Sequence, residues 1–198
     1  EQMQEMIKKA NWYHYFTDNG IKHGTIVFRE EGIDYEITTF RKDVSTDGRN
    51  ATVKFAKTIE EDLARRDFTI NSLAKDMIGN RGIIDQFNGK QDIEDKVIRF
   101  VGDGTTRIEE DRLRLFRAYR FLSQLGKGWK FLDGDVISNF CSIDNLSIVS
   151  KERIRDELIK TFQYNPCFAL YHMPKWLIMY IFHEILAPQV NNEYHGHH

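Results

Sequence analysis

The stretch that decides the reading spans residues 60–74: Glu60-Glu61-Asp62-Leu63-Ala64-Arg65-Arg66-Asp67-Phe68-Thr69-Ile70-Asn71-Ser72-Leu73-Ala74. Its first half is crowded with charge. Phe68, Ile70, Leu73 and Ala74 then follow at spacings that can bury one helical face. On that reading Asp67 caps a helix whose N-terminus is a place for an anion. Arg65 and Arg66 set two permanent positive charges beside it, a chemistry suited to phosphate or a nucleotide sugar. A salt-bridged helix opening with no ligand would use the same residues.

Upstream, residues 25–29 and 35–40 read as two strands, and Glu30-Glu31-Gly32 between them makes a hairpin the simple connection. Glu36 projects from one face of the second strand, where a carboxylate can be no more than its solvent side. Residues 43–50 are polar and contain Asp47-Gly48, which predicts a loop, and residues 53–55 a short strand. Residues 2–10 read as an amphipathic helix. Downstream, Ile83 and Ile84 suggest a brief buried strand, Asn88-Gly89 a turn, residues 92–96 a helix and residues 97–101 a strand.

From residue 107 the pattern turns helical. Leu115, Ala118, Leu122 and Leu125 make one apolar seam. Residues 135–140, 150–162 and 167–183 are further helix candidates, Ser150 serving as an N-cap. Asp111, Arg114, Arg117 and Arg120 recur every third residue, so on one helix they would spiral slowly around a broad side. The plain reading is an exposed helix with Glu110–Arg114 and Asp111–Arg114 ion pairs. The chemical reading is a donor–acceptor pair. A carboxylate accepts from an exocyclic amine, and a guanidinium donates to a ring nitrogen or carbonyl oxygen. Asp133-Gly134-Asp135 has the look of a metal-binding pair but sits at a glycine turn.

Five ordered segments together resemble the bacterial-type tRNA nucleotidyltransferase (CCA-adding enzyme) and poly(A) polymerase family. They are Gly20-Ile21-Lys22-His23-Gly24-Thr25, Tyr35-Glu36-Ile37-Thr38-Thr39-Phe40-Arg41, the run from Arg65 onward, Ile84-Asp85-Gln86-Phe87-Asn88-Gly89-Lys90-Gln91-Asp92-Ile93, and Glu110-Asp111-Arg112-Leu113-Arg114-Leu115-Phe116-Arg117-Ala118-Tyr119-Arg120-Phe121. The resemblance implies an α+β fold: a partial, polymerase-beta-like nucleotidyltransferase head over residues 1–104 with a small mixed sheet, a helical neck over 105–163, and the start of a helical body over 164–198. It implies that Asp111 and Arg114 read the base and that Arg66 and Asp67 engage the triphosphate or ribose. Asn71 would hold the sugar or brace its loop, while Arg117 and Arg120 would hold phosphate or position the helix. It makes Glu36 an auxiliary carboxylate near catalytic Mg²⁺, and the 43–50 loop a cover over the nucleotide.

The family draws its main metal carboxylates from a Gly-Gly turn and an Asp-x-Asp pair, and neither occurs in the first half of this chain. The sequence therefore reads as a fragment, with a complementing subunit as one source of the missing segment. CTP, ATP and the 3′ end of tRNA are the implied partners. A non-catalytic nucleotide- or RNA-binding module and a poly(A) polymerase share the same motifs.

The composition suits a globular chain: 198 residues, 41% hydrophobic and 29% charged, which is enough apolar material for a core. Net charge is −2, so any surface for nucleic acid has to be local. Basic residues gather between 107 and 130 and at Lys151-Glu152-Arg153-Ile154-Arg155. Two cysteines are too few for a disulfide framework, which favours a reducing cytoplasm. No apolar run reaches membrane-spanning length. The closing Tyr194-His195-Gly196-His197-His198 reads as a chain end.

Overall fold

The computed structural model describes residues 5, 6, 9, 13–15, 24–46, 51–132, 134 and 146–187. The expected 2–10 and 135–140 helices, the 20–23 segment, Asp133, Asp135 and the histidine-bearing end lie mainly or wholly outside them. The fold is α+β.

Two antiparallel units carry the first part. β1 (Tyr13–Tyr15), β2 (Thr25–Glu30) and β3 (Ile33–Thr38) form a three-stranded sheet in that order. The β2–β3 register runs from Thr25↔Thr38 to Glu30↔Ile33, leaving Glu31-Gly32 as a two-residue turn. Both turn residues have positive φ, +50° and +79°, the geometry that matches the right-handed twist of the flanking strands. β4 (Arg41–Thr46) pairs with β5 (Ala51–Phe55) through an irregularity at Asp43/Ser45. The expected 43–50 loop is therefore corrected: residues 43–46 are strand, and only 47–50 fall outside the described residues. Ladder hydrogen bonds impose a strand there on a segment without apolar alternation.

The deciding stretch also differs from expectation. Its helix, α1 (Ile59–Ala64), precedes the arginines, and Thr58 caps it through the Glu61 amide. Beyond Asp67 the chain makes only one 3₁₀ turn (Thr69–Asn71) before entering β6 (Leu73–Lys75), which pairs with β7 (Ile83–Asp85). Asp67 is no helix cap. Phe68 is fully buried in a bridge with Phe100, and that pairing draws the chain out of helical geometry.

Next come α2 (Gly89–Glu94), β8 (Val97–Ile98), α3 (Gly104–Glu110), α4 (Leu113–Leu125) and β9 (Lys130–Phe131), with β8 and β9 parallel. The Asp85 carboxylate accepts from the amides of Gly89 and Lys90 and starts α2. Gly89 is required by a close approach, since a Cβ there would meet the Thr69 carbonyl oxygen at 2.3 Å. α5 (Lys151–Phe162) begins at Ser150 as expected, the hydroxyl accepting from the Arg153 amide. The expected 167–183 helix is broken at Pro174 into α6 (Pro166–His172) and α7 (Lys175–Tyr180), which runs on into a π-helical segment, Ile181–Leu186. Proline has no amide to continue the ladder.

One core joins the two parts. Phe68, Ile98 and Phe100 pack with Leu115, Tyr119 and Leu122 of α4, Ile154 and Leu158 of α5, and Leu177 of α7. The seam read from the sequence is that face of α4, with Leu115, Ala118 and Leu122 fully buried.

Candidate nucleotide site

A cleft of about 480 Å³ opens where the end of α1, the 3₁₀ turn, the α3–α4 junction and the first turn of α5 converge. Six arginines (Arg41, Arg65, Arg66, Arg114, Arg117, Arg153) and two aspartates (Asp67, Asp111) line it, with Asn71 and Leu113. In a chain of net charge −2, this is a local positive field of the kind a polyanion needs.

Each charged side chain has its own scaffold. Asp67, 6% exposed, accepts from its neighbour's amide (Phe68, 2.9 Å) and from Asn71 Nδ2 (3.3 Å). Its other oxygen takes Arg117 Nε and Nη2 at 2.8 and 2.5 Å. Asp67 thus reaches the cleft as the anchor of Arg117. Arg66 donates to the Asn71 carbonyl and to Asp62, and its side chain stays 41% exposed.

Asp111 and Arg114 both face the cleft, but not from one helix. Asp111 has extended backbone, φ −150° and ψ 103°, and interrupts α3 and α4. One of its oxygens accepts from the Leu113 amide, starting α4, and the other accepts from Arg153 Nη2 at 3.1 Å. Arg114 pairs with Glu110 at 2.7 Å and donates to the Arg107 and Arg65 carbonyls, using three of its five N–H donors. Arg107 likewise donates to the Ala64 carbonyl. Helical arginines thus satisfy carbonyls that the end of α1 leaves open. The Asp111–Arg114 ion pair of the plain reading is replaced by these outside partners.

Arg120 does not line the cleft. It donates to the buried Glu157 at 2.6 Å and lies over the Phe121 ring at 4.1 Å, fixing α4 on α5. Glu36 is exposed on β3, opposite Val27, and does not line the cleft either. Among the described residues no three His, Cys, Asp or Glu side chains gather to hold a metal ion. The described residues do not fit a metal centre.

Arg41, Arg153 and Asp62 were not singled out from the sequence. Arg153 belongs to a basic run, and its place in the first turn after a Ser N-cap was the available signal. Arg41 closes a recognised segment, whereas nothing local marks Asp62.

Residues 1–99, half of the chain, match the poly A polymerase head domain family. The chain belongs to that family. Among curated relatives of this chain, the CCA-adding enzyme of Lactobacillus johnsonii is 48% identical over 145 residues, covering 72% of this chain and 35% of its own length. That of Geobacillus thermodenitrificans is 50% identical over 111 residues, covering 55% and 27%. The solved Bacillus stearothermophilus CCA-adding enzyme in complex with CTP is 38% identical, with a TM-score of 0.65 over 81% of this chain and 37% of its own. A CCA-adding enzyme in apo form II superposes with a TM-score of 0.77 over 90% of this chain and 42% of its own, at 24% identity, which supports the fold. The chain spans about a third of the length of the curated relatives it matches.

Proposed function

We propose that this chain selects and holds CTP and ATP for a CCA-adding enzyme, which adds CMP and AMP to an RNA 3′ end and releases pyrophosphate. The observation that carries the reading is the separate bracing of Asp111 and Arg114 above an arginine-rich cleft. Cytosine and adenine both present an exocyclic amine beside an unprotonated ring nitrogen, while guanine and uracil present a carbonyl beside an N–H. A carboxylate next to a guanidinium pairs with the first pattern and opposes the second. Neither group is free to turn toward the other, because Arg153 and Glu110 hold them, so the preference is built in before the nucleotide arrives.

In this reading Arg66, Arg65 and Arg117 receive the triphosphate, and Asp67 with Asn71 shapes the ribose side. Arg120 positions α4. Residues 1–104 are the head, 105–163 the neck and 164–198 the start of the body. The 3′ end of tRNA is the acceptor, the compartment is cytoplasmic, and the divalent ion general to the family is Mg²⁺. Glu36, the carboxylate that the resemblance offers for that ion, is exposed on β3 and does not line the cleft.

Titration of the purified chain with each nucleoside triphosphate in EDTA tests the selection step. CTP and ATP should bind more tightly than GTP and UTP. Equal affinity for all four would overturn base selection, and no binding would overturn the nucleotide site.

A further inference from the structure

Asp62 sits on α1, outside the cleft lining, and is 4% exposed. Its Oδ1 accepts from the Arg41 amide (3.0 Å) and from Arg65 Nε and Nη2 (3.1 and 3.0 Å), and its Oδ2 accepts from Arg66 Nη2 (3.2 Å). One buried carboxylate therefore holds three of the residues that line the cleft. We infer that Asp62 is a positioning residue for the triphosphate: it sets the direction of Arg65 and Arg66 and docks the start of β4, bringing Arg41 to the same wall. The assignment rests on the nucleotide reading of the cleft.

The chemistry favours this division of labour. A flexible guanidinium loses entropy when it grips a phosphate, and less when a carboxylate already orients it. Asp62 stays ionised for the task. Burial pushes its pKa up, but the Arg41 amide and the Arg65 and Arg66 guanidinium groups outweigh that and hold it below the ordinary aspartate range. The neighbouring Glu61 grips the base of the same hairpin through Lys42 Nζ (2.7 Å) and the Lys57 amide (2.8 Å), so α1 holds β4 and the second residue after β5 from one turn. The placement of the hairpin and the aim of the arginines therefore depend on adjacent residues.

Asp62→Asn is nearly isosteric, keeps an acceptor for the Arg41 amide and removes the charge. Isothermal titration of wild type, Asp62→Asn, Arg66→Gln and the double variant, with CTP, GTP and inorganic tripolyphosphate, tests the inference. In Asp62→Asn, affinity for CTP and for tripolyphosphate should fall about tenfold, with the CTP-to-GTP ratio unchanged. The same change should cost distinctly less on the Arg66→Gln background, because Asp62 acts partly through Arg66. Wild-type affinity in Asp62→Asn, or fully additive losses, would overturn the inference. If Asp62→Asn does not melt cooperatively, Asp62→Glu takes its place: weaker tripolyphosphate binding at wild-type Tm supports the inference, and unchanged binding overturns it. Wild type that binds tripolyphosphate but not CTP would overturn the nucleotide reading alone.

Discussion

Arginine side chains in this protein divide by what holds them. Arg120 and Glu157 are 14% and 5% exposed at the side chain and meet at 2.6 Å, whereas Arg29 and Asp34 are 52% and 40% exposed. Removing one partner of a buried pair leaves an uncompensated charge, while a surface pair is screened by water and salt. Glu157→Ala should therefore destabilise the fold by about 3 kcal/mol in urea melts, and Asp34→Ala should leave the urea midpoint nearly unchanged. Asp62 makes an acid-side prediction. Its folded pKa lies below the ordinary 3.8, so its contribution to stability is present above that value and is lost as pH falls through the lower folded one. The stability gap between wild type and Asp62→Asn should close as pH drops below 3.8 and stay constant through neutrality; a gap that closed on raising the pH would contradict this sign.

Among the elements, α2 is pressed against the 69–71 turn with no room for a side chain at Gly89. Gly89→Ala should cost about 1–3 kcal/mol by overpacking against a backbone carbonyl, read as a lowered urea midpoint. How far such elements were legible depended on whether local pattern or distant partners shaped them. The β2–β3 hairpin followed from its turn, α5 from its Ser150 cap, and the buried face of α4 from apolar spacing. Phe68, Ile70, Leu73 and Ala74 fit helical spacing, yet residues 68–74 form a 3₁₀ turn and the start of β6. Their real partners lie outside a helical turn's reach: Phe100 for Phe68, and the strand β7 for β6. The three-residue spacing from Asp111 to Arg120 suggested one helix for the same reason. Asp111 is drawn out of it by the Leu113 amide and by Arg153, 42 positions on. Spacing therefore picked out Asp111, Arg114 and the Glu110–Arg114 pair, but not Arg153, which holds Asp111.

The molecule as a whole is nearly neutral, yet it gathers six arginines around one cleft, held by a core that runs from Phe68 through α4 to α7. On the proposed reading a triphosphate is drawn to that cleft electrostatically, so CTP affinity should weaken as salt rises from about 0.05 M to about 0.5 M, a range over which the screening length falls through about 10 Å. Choice of base should hardly change over the same range, since it rests on short-range hydrogen bonds. Among the described residues no helix is long and apolar enough to cross a membrane, and Cys167 is an exposed free thiol. The most direct test compares CTP and GTP affinities in wild type and Asp111→Ala. Wild type should prefer CTP, and the variant should lose about tenfold or more of that preference, the cost of one base-edge contact, while keeping its tripolyphosphate affinity. An Asp111→Ala chain that prefers CTP as strongly as wild type would contradict base reading at this site.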